Sequence, residues 1–344
     1  MTREVHEPLT GVITTCLVLT CLIGGASARP VPAPAQTSGG NQDFVEVAAG
    51  VEHTLARRSD GSVVAWGANW SGQCDVPALP PGLTYVEISA GGGLSGVMFY
   101  DPFFEWNHGL SVARRSDGSV VAWGDDTYGQ LDVSDLPPGL TYVGIDAGTH
   151  HVLALRSDGS VVAWGDNADG QCDVPDLPSG LTYVEVSAGG SFRTHSSVLW
   201  GSSASSSGHS VARRSDGSVV MWGAAIGDAP PAPPGLTYVE ISAGSAHVAA
   251  RLSDGSVVAW GNNSFGQTDV PAPPPGLSYV EVAAGGGHTV ARLSDGSVVT
   301  WGEPTNITSI PPLPPGTTYV DVAAGGVIHA FIPSCFYCQP SSFA

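Results

Sequence analysis

Lysine is absent from this chain, and charge of either sign is scarce. Only 12% of the 344 residues are charged, about half the roughly 25% usual for soluble domains. The 12 bases are all arginine and face 31 acids, for a formal net charge of -19. That balance excludes a nucleic-acid partner, whose phosphates need a basic surface, and it disfavours anionic membranes. Long apolar runs are missing too. The longest, Gly11 to Gly25, is shorter than the ~20 residues that span a bilayer. No phosphate-binding loop, nucleophile elbow or His-Glu-x-x-His motif is present, so neither a cofactor nor an enzyme activity is expected.

Cysteine is sparse. Cys16 and Cys21 lie in the first apolar run, and Cys74 and Cys172 share one repeat position, two repeats apart, too far to pair. Cys335 and Cys338 form a Cys-x-x-Cys tail. Outside a thioredoxin-like setting this reads as a local disulfide.

Residues 1–28 read as a secretory signal: Arg3, the apolar run, then Ala26-Ser27-Ala28 as the small residues of a cleavage site. The mature protein is therefore expected to be exported, to the exterior, the periplasm or the cell surface, with no membrane insertion once the signal is removed. Residues 29–42, rich in Pro, Ala, Ser and Gly, read as a flexible lead-in. Residues 43–334 are repeats and 335–344 a short tail.

The repeat is built around Ser59-Asp60-Gly61-Ser62-Val63-Val64-Ala65-Trp66-Gly67, which returns with few changes at 116–124, 157–165, 215–223, 253–261 and 294–302. Asp-Gly between β-formers signals a hairpin turn. Val-Val-Ala-Trp suits a strand, and its apolar run predicts cover on both faces. Ahead of each turn stand an opening strand ending in Ala-Gly and a second strand such as His53-Thr54-Leu55-Ala56-Arg57. After it comes a polar Gly-Gln stretch closed by Pro-Pro-Gly-Leu. A period of about 41 residues with several short strands predicts the blade of a β-propeller. The opening strand occurs at Phe44, Tyr85, Tyr142, Tyr183, Tyr238, Tyr279 and Tyr319. The expected fold is all-β, a seven-bladed propeller with an incomplete last blade. Six blades plus a trailing hairpin is the alternative.

The order Ala-Gly, His-Thr-x-Ala, Asp-Gly-x-Val-x-x-Trp-Gly, Gly-Gln resembles the regulator-of-chromosome-condensation repeat. The best copy runs from Ala284-Gly285-Gly286-Gly287-His288-Thr289-Val290-Ala291 to Trp301-Gly302. The resemblance covers about 43–332. It implies a seven-bladed propeller that binds other proteins. A secreted bacterial branch of the family resembles a β-lactamase-inhibitory propeller, which implies an inhibitor of an extracellular enzyme as one alternative. Nucleotide exchange on a nuclear GTPase, the role of the eukaryotic founder, fits badly with an export signal and an acidic surface.

Two residue columns recur. His53, His151, His209, His247, His288 and His329 read as structural histidines bonded to the adjacent Ala-Gly loop, with Leu110 in their place in the second unit. Equivalent positions on successive blades lie too far apart to ligate one metal. Trp66, Trp123, Trp164, Trp222, Trp260 and Trp301 read as packing between blades. Glu46, Glu87, Glu185, Glu240, Glu281 and Asp321 recur as well, with Gly144 the exception, and arginines such as Arg57 and Arg58 are their expected partners.

Departures from the period point to function. Two insertions, 92–108 and 190–208, fall between the Ala-Gly and the second strand, so both leave one face of the propeller. The first carries Met98, Phe99, Tyr100, Phe103, Phe104 and Trp106, the second Phe192, Arg193 and Trp200. Such residues suit a contact surface for a protein partner of unspecified identity, with a glycan as alternative ligand. In a competing reading the aromatics fold back onto the blades and the chain is a structural surface protein. His108, His150 and His195 lie outside the histidine column near the same connections. A small metal or catalytic site built from them is the enzymatic alternative.

Overall fold

In a computed structural model, the structure describes residues 44–94, 107–191, 207–303, 310, 317–325 and 329–334. Unit 1 contains β1 (Phe44–Ala49), β2 (His53–Arg58) and β3 (Val63–Gly67). Unit 2 contains β4 (Tyr85–Leu94), β5 (Asn107–Arg115) and β6 (Val120–Gly124); unit 3, β7 (Tyr142–Ala147), β8 (His151–Arg156) and β9 (Val161–Gly165). Unit 4 contains β10 (Tyr183–Ser191), β11 (Ser207–Arg214) and β12 (Val219–Gly223); unit 5, β13 (Tyr238–Ala243), β14 (His247–Leu252) and β15 (Val257–Gly261). Unit 6 contains β16 (Tyr279–Ala284), β17 (His288–Leu293) and β18 (Val298–Gly302), and unit 7 only β19 (Thr318–Ala324) and β20 (His329–Ser334).

Each of the first six units is a three-stranded antiparallel sheet in chain order, and the seventh is two-stranded. The seventh blade is thus incomplete. It nevertheless closes the ring: the Val47 N–H donates to Asp321 Oδ2 at 2.8 Å, across 274 positions of sequence. The arrangement is therefore seven units in a ring rather than six with a trailing hairpin. The opening strands of all seven line one central cavity of about 330 Å³.

Local chemistry explains the strands. Gly61 sits at φ 79 in the first hairpin turn, a region that glycine enters without a Cβ clash. Asp60 Oδ1 accepts the Ser62 N–H at 2.9 Å, and the same bond closes the turns at Asp117, Asp158, Asp216, Asp254 and Asp295. The opening tyrosines are buried at the seams, and in five of them the hydroxyl donates to the carbonyl at the Pro77 position, as Tyr85 to Pro77 and Tyr183 to Pro175, both at 2.8 Å. One expectation needs correction. The Val-Val-Ala-Trp strand is not covered on both faces: Val63, Val64 and Ala65 are only half-buried while Trp66 is buried. This strand is the outer edge of its sheet, and the polar stretch beyond it forms turns and loop rather than a fourth strand.

Candidate interaction surface

The seams between units absorb most of the recurring polar residues. In unit 1, Glu46 Oε2 pairs with Arg57 at 2.5 Å, while Oε1 accepts the N–H of Ile88 in unit 2 at 3.0 Å. Glu87, Glu185, Glu240 and Glu281 repeat the pattern with Arg114, Arg213, Arg251 and Arg292. Each carboxylate thus joins its own hairpin to the next blade. Unit 3 lacks the acid at Gly144, and Leu155 faces it across the sheet where the five glutamate-bearing units place arginine. Acid and base have disappeared together, leaving no unpaired buried charge.

Unit 3 makes a different joint two residues later. Asp146 Oδ1 accepts from Ser89 Oγ at 2.7 Å and the Ala147 N–H at 3.0 Å, and Oδ2 from Ser187 Oγ at 2.9 Å and the Ala188 N–H at 2.8 Å. Burial pushes its carboxyl pKa up, against those hydrogen bonds. Four donors fill the four lone-pair sites of a carboxylate, so this group clamps units 2, 3 and 4 and has none left for a ligand in the central cavity. At the closing seam, Asp321 faces Ile332 rather than arginine. Burial and the neighbouring Glu281 carboxyl push its pKa up to about 9.

The histidine column is structural, with two corrections. Its hydrogen bond goes to the next blade rather than to the Ala-Gly loop: His53 Nε2 bonds Ser111 Oγ at 2.9 Å, His151 Ser210 at 2.9 Å and His247 Thr289 at 2.8 Å. The ring does lie against the loop, since a Cβ on Gly50 would fall 2.4 Å from His53 Cε1. Ser111 gives its own proton to the Gln73 carbonyl at 2.8 Å, so His53 Nε2 is the donor. Burial lowers the His53 and His247 pKa values to about 4 and that of His151 to about 3. The second correction concerns His329, which pairs with Ala324 as Thr54 pairs with Ala49. It occupies the Thr54 position rather than the His53 column, because it stands five residues after Ala324 whereas His53 stands four after Ala49. Leu110 packs with Val152 of the next unit, so the apolar substitution is matched across the seam.

The tryptophans bind blade to blade as expected. Trp123 Nε1–H donates to the Gln73 carbonyl of the preceding unit at 2.9 Å, and Trp164, Trp222 and Trp301 repeat this with Gln130, Gln171 and Gln267. Unit 4 has no Gly-Gln, and Trp260 donates instead to Met221 Sδ at 3.2 Å. Trp66 is buried as well. Cys74 and Cys172 are free thiols, each donating to a backbone carbonyl, and burial pushes both up to about 12.

What remains is the end of the ring where the opening strands finish and the second strands begin, here the upper end. Both insertions leave from it. The β4–β5 ladder runs past Ala-Gly to pair Gly93 with His108 and Leu94 with Asn107, and β10–β11 runs on to pair Ser191 with Ser207. Hairpin extensions therefore carry the segments 95–106 and 192–206. Met98, Phe99, Tyr100, Phe103, Phe104, Trp106, Phe192, Arg193, Trp200 and His195 lie outside the described residues, as do residues 1–28, expected to be a signal, the expected lead-in 29–42, Cys335 and Cys338. Of the three outlying histidines, His150 is buried, its ring edge-on to Tyr128 at 4.9 Å, and His108 is placed only by its backbone pairing. Among the described residues no group of three His, Cys, Asp or Glu is arranged to hold a metal.

The loops that follow the tryptophan strands share this upper end, since Gly67 pairs with His53. Each rests on the next unit: a Cβ on Gly109 would meet Gln73, and one on Gly287 would meet Phe265. Their tips are Trp70, 45% exposed, and Phe265, 51% exposed. Sequence reasoning passed over both. The available signal was that the two residues before each Gly-Gln differ in every unit that has one: Trp70-Ser71, Thr127-Tyr128, Ala168-Asp169 and Ser264-Phe265.

The regulator of chromosome condensation (RCC1) repeat model matches residues 44–73, 142–171, 238–267 and 279–306. These are units 1, 3, 5 and 6, the ones without an insertion or a missing strand. The ultraviolet-B receptor UVR8 of Arabidopsis thaliana is 29% identical over 106 residues, 28% of this chain and 20% of that receptor. Human WBSCR16 superposes with a TM-score of 0.62 at 16% identity, over 87% of this chain and 88% of that one. Yeast RCC1 (Prp20), solved with Kap60, gives 0.62 at 18% identity, over 84% and 80%. The ectodomain of the Arabidopsis thaliana receptor kinase ACR4 gives 0.56 at 22%, over 83% and 90%. At these identities the structures speak for the fold alone. The chain is thus an all-β propeller that carries RCC1-type repeats in four of its units.

Proposed function

We propose that this chain is an exported, non-enzymatic protein-binding module whose contact surface is the upper end of the ring. The observation that supports this most is coincidence in space: both insertions rise from the end where Trp70 and Phe265 stand exposed. Exposed aromatics on a rigid scaffold are typical anchors of protein interfaces. Polar residues elsewhere are occupied in holding blades together, which leaves this end free to vary. Yeast Prp20 has been solved bound to Kap60 and studied for binding to Gsp1p and histones, and these partners are its own. Export rests on the apolar run and small residues before Arg29.

The test is capture of partners from the native secretome by the mature chain, beside a variant with residues 95–106 replaced by Asn-Gly. That two-residue turn closes the Leu94–Asn107 pair without shifting register. A partner captured by the full chain and lost by the variant, at equal thermal stability, supports the upper end as the contact surface. Equal capture by both moves the contact to another part of the ring.

A further inference from the structure

One seam is joined through sulfur. In units 2, 3, 4 and 6 the tryptophan N–H meets a glutamine carbonyl of a preceding loop. Unit 4 has no Gly-Gln to offer unit 5. Its β12 instead carries Met221, where the other tryptophan strands carry Ala65, Ala122, Ala163, Ala259 and Thr300. Met221 Sδ accepts the Trp260 N–H at 3.2 Å in place of the carbonyl. A second residue has changed with it. Ser111, Ser210 and Thr289 give their hydroxyl protons to the glutamine carbonyls, and unit 5 has Val248 at that position. The joint between units 4 and 5 has thus exchanged a carbonyl for a thioether. It is also the most open of its kind. All five residues of β12 are half-buried, Trp222 included, whereas the other five tryptophans of the column are buried. Met221 therefore lies on an outer edge strand within reach of small solutes, and packs in one cluster with Val211, Val248, Ile226 and Trp260.

We infer that Met221 is an oxidation site, at which a peroxide converts the thioether to a sulfoxide and loosens the joint between units 4 and 5. A sulfur lone pair attacks one peroxide oxygen, and the O–O bond breaks as the S–O bond forms. The released hydroxide takes the proton of the transferred oxygen and leaves as water. Sulfur is oxidised by two electrons and the peroxide is reduced by two. The product is polar, and methionine sulfoxide reductases reverse it. The new oxygen has no room in the present joint. An N–H···O bond alone spans about 2.9 Å between heavy atoms, nearly the whole Nε1–Sδ separation of 3.2 Å. Sulfur must therefore withdraw from the indole if the oxygen takes over as acceptor. If the oxygen turns inward, it meets Val211 and Val248, where a polar atom is costly. If it turns outward, the buried Trp260 loses its acceptor. Each course weakens the contact between the two blades. The other described tryptophan bonds end on peptide carbonyls, which peroxide leaves intact.

The test treats the full folded chain with hydrogen peroxide, at a level that oxidises a free methionine peptide in the same solution. Peptide mass mapping locates the sulfoxide, and thermal unfolding reads its effect. Sulfoxide is expected at Met221, with the unfolding midpoint lowered by about 3 °C or more. Incubation with methionine sulfoxide reductases A and B and a thiol reductant is expected to restore the midpoint. Met221→Leu removes the thioether at similar volume, and peroxide is expected to move its midpoint by less than about 1 °C. The other methionines, Met1 and Met98, remain in that variant as internal controls. Met98→Leu is expected to keep the full shift, and it carries the test if Met221→Leu does not fold. The inference is overturned by an unmodified Met221, or by sulfoxide at Met221 with an unchanged midpoint. It is equally overturned by a shift in Met221→Leu as large as in the parent, or by loss of the shift in Met98→Leu.

Discussion

The two ends of the ring use the same residue types for opposite purposes. At the lower end, acids and arginines occur in register: Glu185 faces Arg213 across its own sheet and also caps the Ile241 N–H of the next blade. At the upper end, Asp126 and Asp269 have no base near them among the described residues, and aromatics stand in solvent. Repetition explains the first arrangement, because five seams pose the same problem and receive the same solution. The second varies from unit to unit and is not required for closure of the ring. Asp126 and Asp269 serve their own loops instead, Asp126 Oδ1 accepting the Leu131 N–H at 2.9 Å and Asp269 Oδ1 the Asn263 side-chain amide at 2.8 Å.

The sharpest way to break the seam half of this contrast is Trp123→Ala. It removes a buried ring and leaves the Gln73 carbonyl short of a donor. A loss of about 3–5 kcal/mol is expected in denaturant melts, far more than for any single change at the exposed tips. Glu185→Ala comes next, at about 2–4 kcal/mol, since it leaves Arg213 unpaired and an inter-blade N–H unmet. The double change Glu185→Gly with Arg213→Leu copies the pairing of Gly144 with Leu155. It is expected to be less destabilising than Glu185→Ala alone, and a double variant worse than the single one would contradict the matched loss read in unit 3.

A smaller effect depends on pH. His151 is neutral in the fold with its pKa lowered to about 3 by burial, against about 6.5 when unfolded. Between those values the unfolded chain binds the extra proton, so stability is full above about 6.5 and falls with pH below it. His151→Gln is expected to flatten this slope relative to the parent between pH 7 and 5 in thermal melts. A parallel pair of curves would show that this histidine is not held neutral. At the upper end, Trp70→Ala and Phe265→Ala are expected to change stability by less than about 0.5 kcal/mol. A loss comparable to Trp123→Ala would mean that these rings are part of the seam.

The residues that specify the blades could be read in line. Asp-Gly turns, β-branched runs, a period and a tryptophan per copy report local propensity and burial, and they yielded strands, unit count and the seam role of the tryptophans. The expected pairing of arginine with the opening-strand acids was also visible, because both recur in step. Contacts between units were not. The hydroxyl that meets each histidine lies in the following blade, 58 positions away for His53 and Ser111, and nothing in a single unit points to it. Likewise Asp146 reads as an isolated substitution until Ser89 and Ser187 are brought to it from either side.

By itself, then, the sequence determined a ring of repeated hairpins, where the repeat is broken, and how few bases there are to spend, because each of these depends on residues near in sequence or on composition. Only the tertiary structure decided that Asp321 closes the ring onto Val47, that the central cavity has no free carboxylate at Asp146, and that each seam glutamate caps an N–H of the next blade. Those outcomes depend on which strands run antiparallel and which blades become neighbours, and such relations exist only once the chain has curved back on itself.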